Sequence, residues 1–578
     1  MNPSPQTKEL LFLLLAIVIG ALAGVGTLGY LALIQVGQWG TWPGAGQFMG
    51  RVLEAPWWVR ILIPTLGGLA VGPVIAFWAP EARGPGVPEV IEAATLRGGD
   101  IPPRMALFKV WCTGLTIASG GSVGREGPAV GIGAAIGSFM TRLFSFSAGK
   151  GRICLACGVA AGFAATFNTP ISGALFTIEV ILADMEVFYL GHIVIAAIVA
   201  VLISRQFLGD FPTFIVAPFT LGHNSELLVY LALGVLAGLV AIVFTKGIYA
   251  TDGAFRRLPL PEWLKPALGG LGLGILAVFS PYVLGVGYET INLSLGGKFV
   301  LGAAVFLLAT KYLATVLSLG SGMSGGIMGP SLFLGATLGT SLALAANAVF
   351  GVHLHPTDYA LVGMGALVSG TTLGPITATV LIFELSNSHE IIVPAMVSCI
   401  ASFQVVKSLY GYSTYETKLL RRGLKIFRGK EVRVLQSMQV KDYITKNMEV
   451  IRDETPLPEI LRRVEESASP FFVVLDDRDE LSGVLTLWDL RQVMAKPGEA
   501  TEKLSARDLK VSQVVSVHPE DDFETAFKLL EHKNFSFLPV VLPPRDKVVV
   551  GILKIEDVLT AYNHQLLKEQ TLGQAKPE

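Results

Sequence analysis

In the stretch GGSVGREGPAVG, residues 120–131, Arg125 and Glu126 are the only charged residues between Lys109 and Arg142. A carboxylate set among glycines can do two things that a neutral side chain cannot: occupy the place of an anion, and yield that place when it takes up a proton. Two further glycine-proline stretches share its character, RGPGVPE (Arg83 to Glu89) and GGIMGP (Gly325 to Pro330). Clusters of this kind break helices, and inside a membrane broken backbone is tolerated only where it is buried in protein or lines a watery cavity. The broken ends expose N–H groups at the positive end of the helix dipole, a natural anion site without a full positive charge. A dehydrated ion costs about 20 kcal/mol in an idealised low-dielectric medium, so several such donors must converge. The Tyr415 hydroxyl, at the end of the apolar region, is a further candidate donor.

The elements that must position these groups are membrane helices. The chain has 578 residues, 52% of them hydrophobic and 15% charged, with a mean hydropathy of +0.58, too apolar for an ordinary soluble protein. Apolar runs near 10–36, 57–79, 227–249 and 265–284 approach or exceed the ~20 residues that cross a bilayer. The first run continues past a signal-like ALA (Ala21 to Ala23) and is predicted to be a membrane helix rather than a cleaved leader. In a membrane segment an ionisable residue costs on the order of 3 kcal/mol on insertion scales, so Glu126 is a functional candidate by default. The net charge of −1 gives no support to nucleic-acid or lipid-surface binding. Cys112, Cys154, Cys157 and Cys399 lie in apolar segments, and Cys154-x-x-Cys157, without a second ligand pair, reads as helix packing and not as a metal or redox site.

The membrane part repeats itself. Residues 120–137 laid over 322–339 match at eight of 18 positions, and residues 158–179 over 363–384 match at six of 22, pairing Pro170 with Pro375 and Glu179 with Glu384. Two distant segments in the same order at nearly the same offset indicate a duplicated half, about 10–210 and 225–420, a design common in transporters and often inverted in topology. From Tyr415 onward the chain is charged, and it then alternates short strands with amphipathic helices. FFVVLD (Phe471 to Asp476) and FLPVVL (Phe537 to Leu542) are followed by GVLTLWDL and GILKIEDV, two copies 68 residues apart.

These copies resemble a tandem pair of CBS domains, residues 437–497 and 506–566, which implies a cytosolic α+β unit that often binds adenine nucleotides (ATP, ADP or AMP). In that pattern a hydroxyl residue precedes a ribose-binding Asp by three positions. Thr486 and Asp489 fit it, whereas Asp557 has Lys554 at the hydroxyl position. A dimerising scaffold without ligand is the alternative. The three glycine-proline stretches in this order, the intact GREGP with Lys109 placed 17 residues before its Glu, and the duplication resemble the CLC family of chloride channels and proton-coupled anion exchangers. The resemblance implies an all-α polytopic domain of two inverted repeats with broken helices over residues 1–430, in a homodimer with one pore per subunit. It makes Glu126 the gate, and it places anion contacts at Pro85, Gly86, Arg125, Gly127, Ile327, Met328, Gly329 and Tyr415. Arg125 either raises the local potential and fixes the loop or pairs with another carboxylate.

Three departures from the family pattern bear on mechanism. Pro85 stands where chloride-selective members have Ser, and proline offers neither hydroxyl nor N–H. That predicts nitrate permeation at or above chloride, unless Pro85 only stiffens its loop. Val180 replaces the glutamate that passes protons in the exchangers, which makes a passive anion channel the leading expectation. The alternative is a proton-coupled exchanger routed through water, Asp184 or Glu186. Met328 replaces a phenylalanine, leaving the backbone N–H groups of Ile327 and Met328 unaffected.

No enzyme reading survives. GGSVG (120–124) and GMSGG (322–326) satisfy G-x-S-x-G only as paired halves of the duplicated motif, and HEIIV (389–393) lacks the second histidine of a zinc site. A membrane nucleotide sensor without anion flux is the remaining reading of another class. Arg421, Arg422, Lys425 and Arg428 follow the membrane part, which predicts a cytoplasmic C-terminus in a prokaryotic plasma membrane. No metal and no required cofactor are expected.

Overall fold

The structure, a computed structural model, describes residues 5–183, 190–209, 214, 223, 225–424, 435, 438–446, 448–467, 469–494, 504–511, 514–533, 535–542 and 547–561. The chain divides into two compact units, Met1–Ile426 and Phe427–Glu578.

The first unit is helical. Its first repeat runs α1 (Pro5–Thr41), α2 (Phe48–Glu54), α3 (Trp57–Pro73), α4 (Val87–Leu96), α5 (Pro103–Ala118), α6 (Glu126–Leu143), α7 (Ala148–Phe167), α8 (Pro170–Phe176) and α9 (Leu190–Leu208). The second runs α10 (Glu226–Arg257), α11 (Lys265–Phe279), α12 (Tyr288–Leu295), α13 (Leu301–Gly320), α14 (Met328–Phe350), α15 (Pro356–Thr372), α16 (Pro375–Ser386), α17 (Ile392–Leu409) and α18 (Thr414–Arg421). Among the described residues eight helices are long and apolar enough to cross a membrane. The run at 265–284, expected to span, holds a shorter apolar helix of 15 residues. Its helix stops at Phe279 and a 3-10 turn at Pro281–Val283 follows, because Pro281 cannot donate to the helix it would continue.

The matched glycines of the two repeats are where helices touch. A Cβ on Gly133 would lie 1.8 Å from the Gly158 carbonyl, and one on its counterpart Gly335 2.2 Å from the Gly363 carbonyl. The crossings α6 on α7 and α14 on α15 therefore bring backbone against backbone, the small-residue packing that membrane helices use where apolar burial drives little. Cys154 and Cys157 are free and buried in α7, with the Cys154 carbonyl 2.1 Å from where a Gly137 Cβ would stand, so both pack helices as expected.

The second unit holds two small sheets. In the first, β1 (Val450–Arg452) pairs parallel with β2 (Phe471–Leu475), which pairs antiparallel with β3 (Leu481–Thr486). In the second, β4 (Phe537–Val541) pairs antiparallel with β5 (Val549–Lys554). Each hairpin shifts register one residue before its end, so the copies agree down to their irregularity. The Phe471 and Phe537 rings stack at 3.6 Å and join them.

Candidate functional site: a carboxylate held by two broken helices

The three glycine-proline stretches meet. Gly124 and Gly326 exchange N–H···O bonds of 2.8 Å in both directions, and Gly84 pairs with the segment 323–325 through bonds of 3.3 and 3.2 Å. Past these crossings α6 starts at Glu126 and α14 at Met328, so two helix N-termini open onto one point.

The Glu126 carboxylate occupies that point. It is fully buried and its Oε1 accepts from the Met328 N–H at 2.6 Å. The N–H groups of Gly329 and of Glu126 itself face the same carboxylate. Glycine is required around it: a Cβ on Gly326 would fall 1.9 Å from Oε1, and one on Gly124 2.1 Å from Oε2. A carboxylate in this cradle stands where an anion would be held, on helix dipoles and backbone donors.

The other predicted contacts are drawn to the same centre, except Arg125. The Pro85 carbonyl lies 2.1 Å from where a Gly127 Cβ would be, so these two backbones touch. Gly86, at φ +88°, lies against Lys109, whose buried ammonium donates to the carbonyls of Ala82 (2.8 Å) and Gly84. Ile327 is the residue before α14 and is buried with Met328. The buried Tyr415 hydroxyl has no hydrogen-bond partner among the described residues and lies within electrostatic reach of Glu126. Arg125 turns away, donating to the Thr166 carbonyl at 3.1 Å with its guanidinium 4.6 Å over the Tyr288 ring. It thus contacts a carbonyl and a ring, while its charge still acts on the Glu126 carboxylate.

Two clefts approach the centre and share no lining residue. One, of about 350 Å³, is lined by Arg83, Pro85, Asp252, Lys418, Arg421 and Arg422 among others, with more basic than acidic groups although Arg83, Lys418 and Arg422 are ion-paired to Asp252 and Glu89. The other, of about 250 Å³, includes Gln35, Gln38, Arg125, Tyr288 and Glu289. Val180 is buried, 2.9 Å from where a Gly374 Cβ would stand. Asp184 and Glu186 lie outside the described residues, as do Lys425 and Arg428.

Sequence reasoning missed Lys311. Its buried ammonium donates to the carbonyls of Val283 and Gly285, both at 2.9 Å, as Lys109 does in the first repeat. The 202-residue offset carries Lys109 onto Lys311 and was the available signal.

In the second unit a cavity of about 510 Å³ is lined by Thr486, Trp488, Asp489, Phe535 and Phe537 among others. Thr486 Oγ1 donates to Asp489 at 2.6 Å, so the pair singled out from the sequence is together beside an aromatic lining. Asp557 instead accepts from Thr445 Oγ1 at 3.0 Å and is not among that cavity's lining residues.

Residues 67–407 match the family described as voltage gated chloride channel, and residues 440–496 and 506–564 match the CBS domain. A putative chloride channel protein ClcB-like of Ralstonia nicotianae is 34% identical over 420 residues, 71% of this chain and 96% of that protein. The H(+)/Cl(-) exchange transporter ClcA of Salmonella arizonae is 30% identical over 428 residues, 71% of this chain and 89% of that protein. Among solved structures, a slow cyanobacterial Cl-/H+ antiporter superposes with TM-score 0.65 at 25% identity, covering 71% of this chain and 97% of that one. A eukaryotic CLC transporter superposes with TM-score 0.67 at 20% identity over 95% of this chain and 98% of that one, a likeness of fold. With its gate-like carboxylate on two broken helices and this match over most of its length, the chain belongs to the CLC family of chloride channels and transporters and carries two CBS domains after its membrane part.

Proposed function

We propose that the chain carries chloride and other small monovalent anions across a membrane in exchange for protons, with Glu126 as the moving gate. The observation that carries this reading is the Glu126 carboxylate itself, fully buried and bonded to the Met328 N–H in the place of an anion. While it sits there an anion cannot. Protonation removes the charge that the helix dipoles hold, the side chain leaves, and an anion takes the N–H groups in its stead. The anion then passes along Pro85 and the Tyr415 hydroxyl towards the cleft of Arg83, Lys418 and Arg422.

Exchange takes precedence over the channel expected from Val180 because relatives named as exchanger and antiporter match most of the membrane unit. Val180 supports the second reading, a passive channel, since valine carries no proton; under exchange the proton must take another route. Pro85 in the anion path supports nitrate permeation at or above chloride. We place the chain in a plasma membrane as a homodimer with a cytoplasmic C-terminus, its CBS unit adjusting flux through an adenine nucleotide held at Thr486 and Asp489.

Reversal potentials of the reconstituted full chain test this. Under fixed chloride and varied pH gradients, exchange requires the reversal potential to move with the proton gradient, whereas a value pinned to the chloride equilibrium establishes the channel. Absence of any anion flux would leave only the nucleotide sensor.

A further inference from the structure

On the side of Glu126 facing the second cleft, the structure leaves three hydrogen-bond donors unused. Tyr30, on α1, is 2% exposed, and its hydroxyl has no hydrogen-bond partner among the described residues. The buried hydroxyl of Tyr288, at the start of α12, is approached by the Arg125 guanidinium, which can only donate to it, so its own proton is left over, and the buried Nε of Arg125 has no acceptor among the described residues. An arginine Nε can only donate and a phenol donates readily. Unmade hydrogen bonds of buried groups cost about 1–3 kcal/mol each, and three together call for a common acceptor. They are neighbours: Tyr30 lies within electrostatic reach of Glu126, Arg125 and Tyr288, and Arg125 stacks on the Tyr288 ring.

We propose that Tyr30, Tyr288 and the Nε of Arg125 form a receptacle for the Glu126 carboxylate when it leaves the broken-helix site, and that they receive it in its ionised form. Glu126 Oε2, also without a partner in the present position, belongs to the group that would dock there. Donors from a cation and two phenols match a carboxylate better than a neutral acid, which must place its own O–H as well. The receptacle therefore holds the gate open once Glu126 has left and given up its proton, which keeps the broken-helix site free for an anion. It rests on the reading of Glu126 as the gate, and Tyr30 and Tyr288 are positioning residues in it.

The charged and titratable groups facing Glu126 are Arg125 on its own loop, Tyr30 from α1, Tyr288 from α12 and Tyr415 from α18. Lys311 of α13 and Glu289 of α12 interact with one another nearby. Glu289 lines the second cleft together with Arg125 and Tyr288, so it is the other carboxylate near these donors.

The test is anion flux of the reconstituted full chain against pH in Tyr30→Phe and, independently, Tyr288→Phe, each keeping the ring and its packing. Each is expected to lower flux roughly tenfold on the alkaline limb, the scale of one hydrogen bond to a charged group, and to lower it far less where Glu126 is protonated. The alkaline loss is expected to vanish when Glu126→Ala is combined with either change. Equal loss at all pH values, or no loss, overturns the proposal. Loss that persists with Glu126→Ala, together with a raised half-saturating chloride concentration, also overturns it and makes a free anion the ligand. The gate reading is tested separately: Glu126→Ala alone must abolish the pH dependence of flux.

Discussion

Glu179 and Glu384 cap one another's repeats. The Glu179 carboxylate accepts from the N–H groups of Ile376 (3.1 Å) and Thr377 (2.7 Å) and from Thr377 Oγ1 (2.6 Å), at the start of α16. Glu384, near the end of α16, accepts from the N–H groups of Ile171 (2.9 Å) and Ser172 (2.7 Å) and from Ser172 Oγ, at the start of α8. The pairing of these two glutamates in the internal repeat is thus a structural clasp, and Glu179 is not free to serve as a proton carrier in place of Val180.

The clasp predicts a stability effect without a direct gating effect. Each carboxylate satisfies two orphan N–H groups at a helix start, and hydrogen bonds to a charged group contribute roughly 1.5–3 kcal/mol. Glu179→Ala and Glu384→Ala should each lower the melting temperature of the solubilised protein, with Gln restoring part of the loss. Combining them should cost less than the two losses added, because α8 and α16 touch and the sites couple. Ile171 and Ile376 beside them are 51% and 46% exposed, so the same variants should shift any dimer towards monomer, measured by light scattering in detergent.

The glycines around Glu126 predict two opposite outcomes from similar changes. A Cβ at Gly326 meets only the Glu126 carboxylate at short range, 1.9 Å from Oε1, and that side chain can move. Gly326→Ala should expel it and flatten the pH dependence of flux. A Cβ at Gly127 meets the Pro85 backbone carbonyl at 2.1 Å, which cannot move without opening the loop crossing. Gly127→Ala should destabilise the fold by about 1–3 kcal/mol, the usual range for overpacking, and lower flux at every pH. Flux assays beside melting curves separate the two.

The contrast shows what the sequence carries. Glu126 and its glycines were legible because local requirements, close backbone approach and a titratable acid in an apolar stretch, are written in adjacent residues. The duplication was legible for a related reason, since its matched glycines are helix-crossing contacts that few residues can replace. Tyr30 and Tyr288 were not legible. An aromatic residue on an apolar helix looks the same whether or not its hydroxyl finds a partner, and only the assembled fold brings α1, α12 and the Arg125 loop together. The helix within 265–284 is shorter than its apolar run because an apolar count does not register a stop at Pro281.

The CBS unit carries a pH dependence of its own. Burial alone would raise the proton affinity of the Asp453 carboxyl, but hydrogen bonds from Lys510 and Ser482 and the charges of Lys510 and Arg507 outweigh it and hold its pKa below the ordinary value. A carboxylate with a depressed folded pKa adds stability that is complete above the unfolded value, about 3.9, and is lost as pH falls through the folded value. Asp453→Asn should therefore weaken this unit near neutrality, and its deficit should shrink below about pH 4 as the native carboxyl takes up its proton. Hydrogen exchange of residues 450–511 in the full chain, followed from pH 7 to pH 3, checks this; a deficit constant across that range would mean that charge is not what Asp453 supplies.

Pro85 offers the most direct control of selectivity. Its carbonyl is engaged against Gly127, Lys109 fastens the carbonyls of Ala82 and Gly84 just before it, and the ring has no donor to give an anion. Chloride, small and strongly hydrated, loses more than nitrate when a donor is withheld, because it gives up more on leaving water. Pro85→Ser restores one hydroxyl without adding a charge, and a hydrogen bond of about 1 kcal/mol net corresponds to a change of roughly fivefold in relative permeability. The reversal potential on replacing chloride by nitrate should move towards chloride preference by that amount, with total flux at equal pH changed much less. If the ratio does not move while the loop stays intact, selectivity is set by the backbone N–H groups of Met328 and Gly329, and Pro85 acts only by fixing the approach to them.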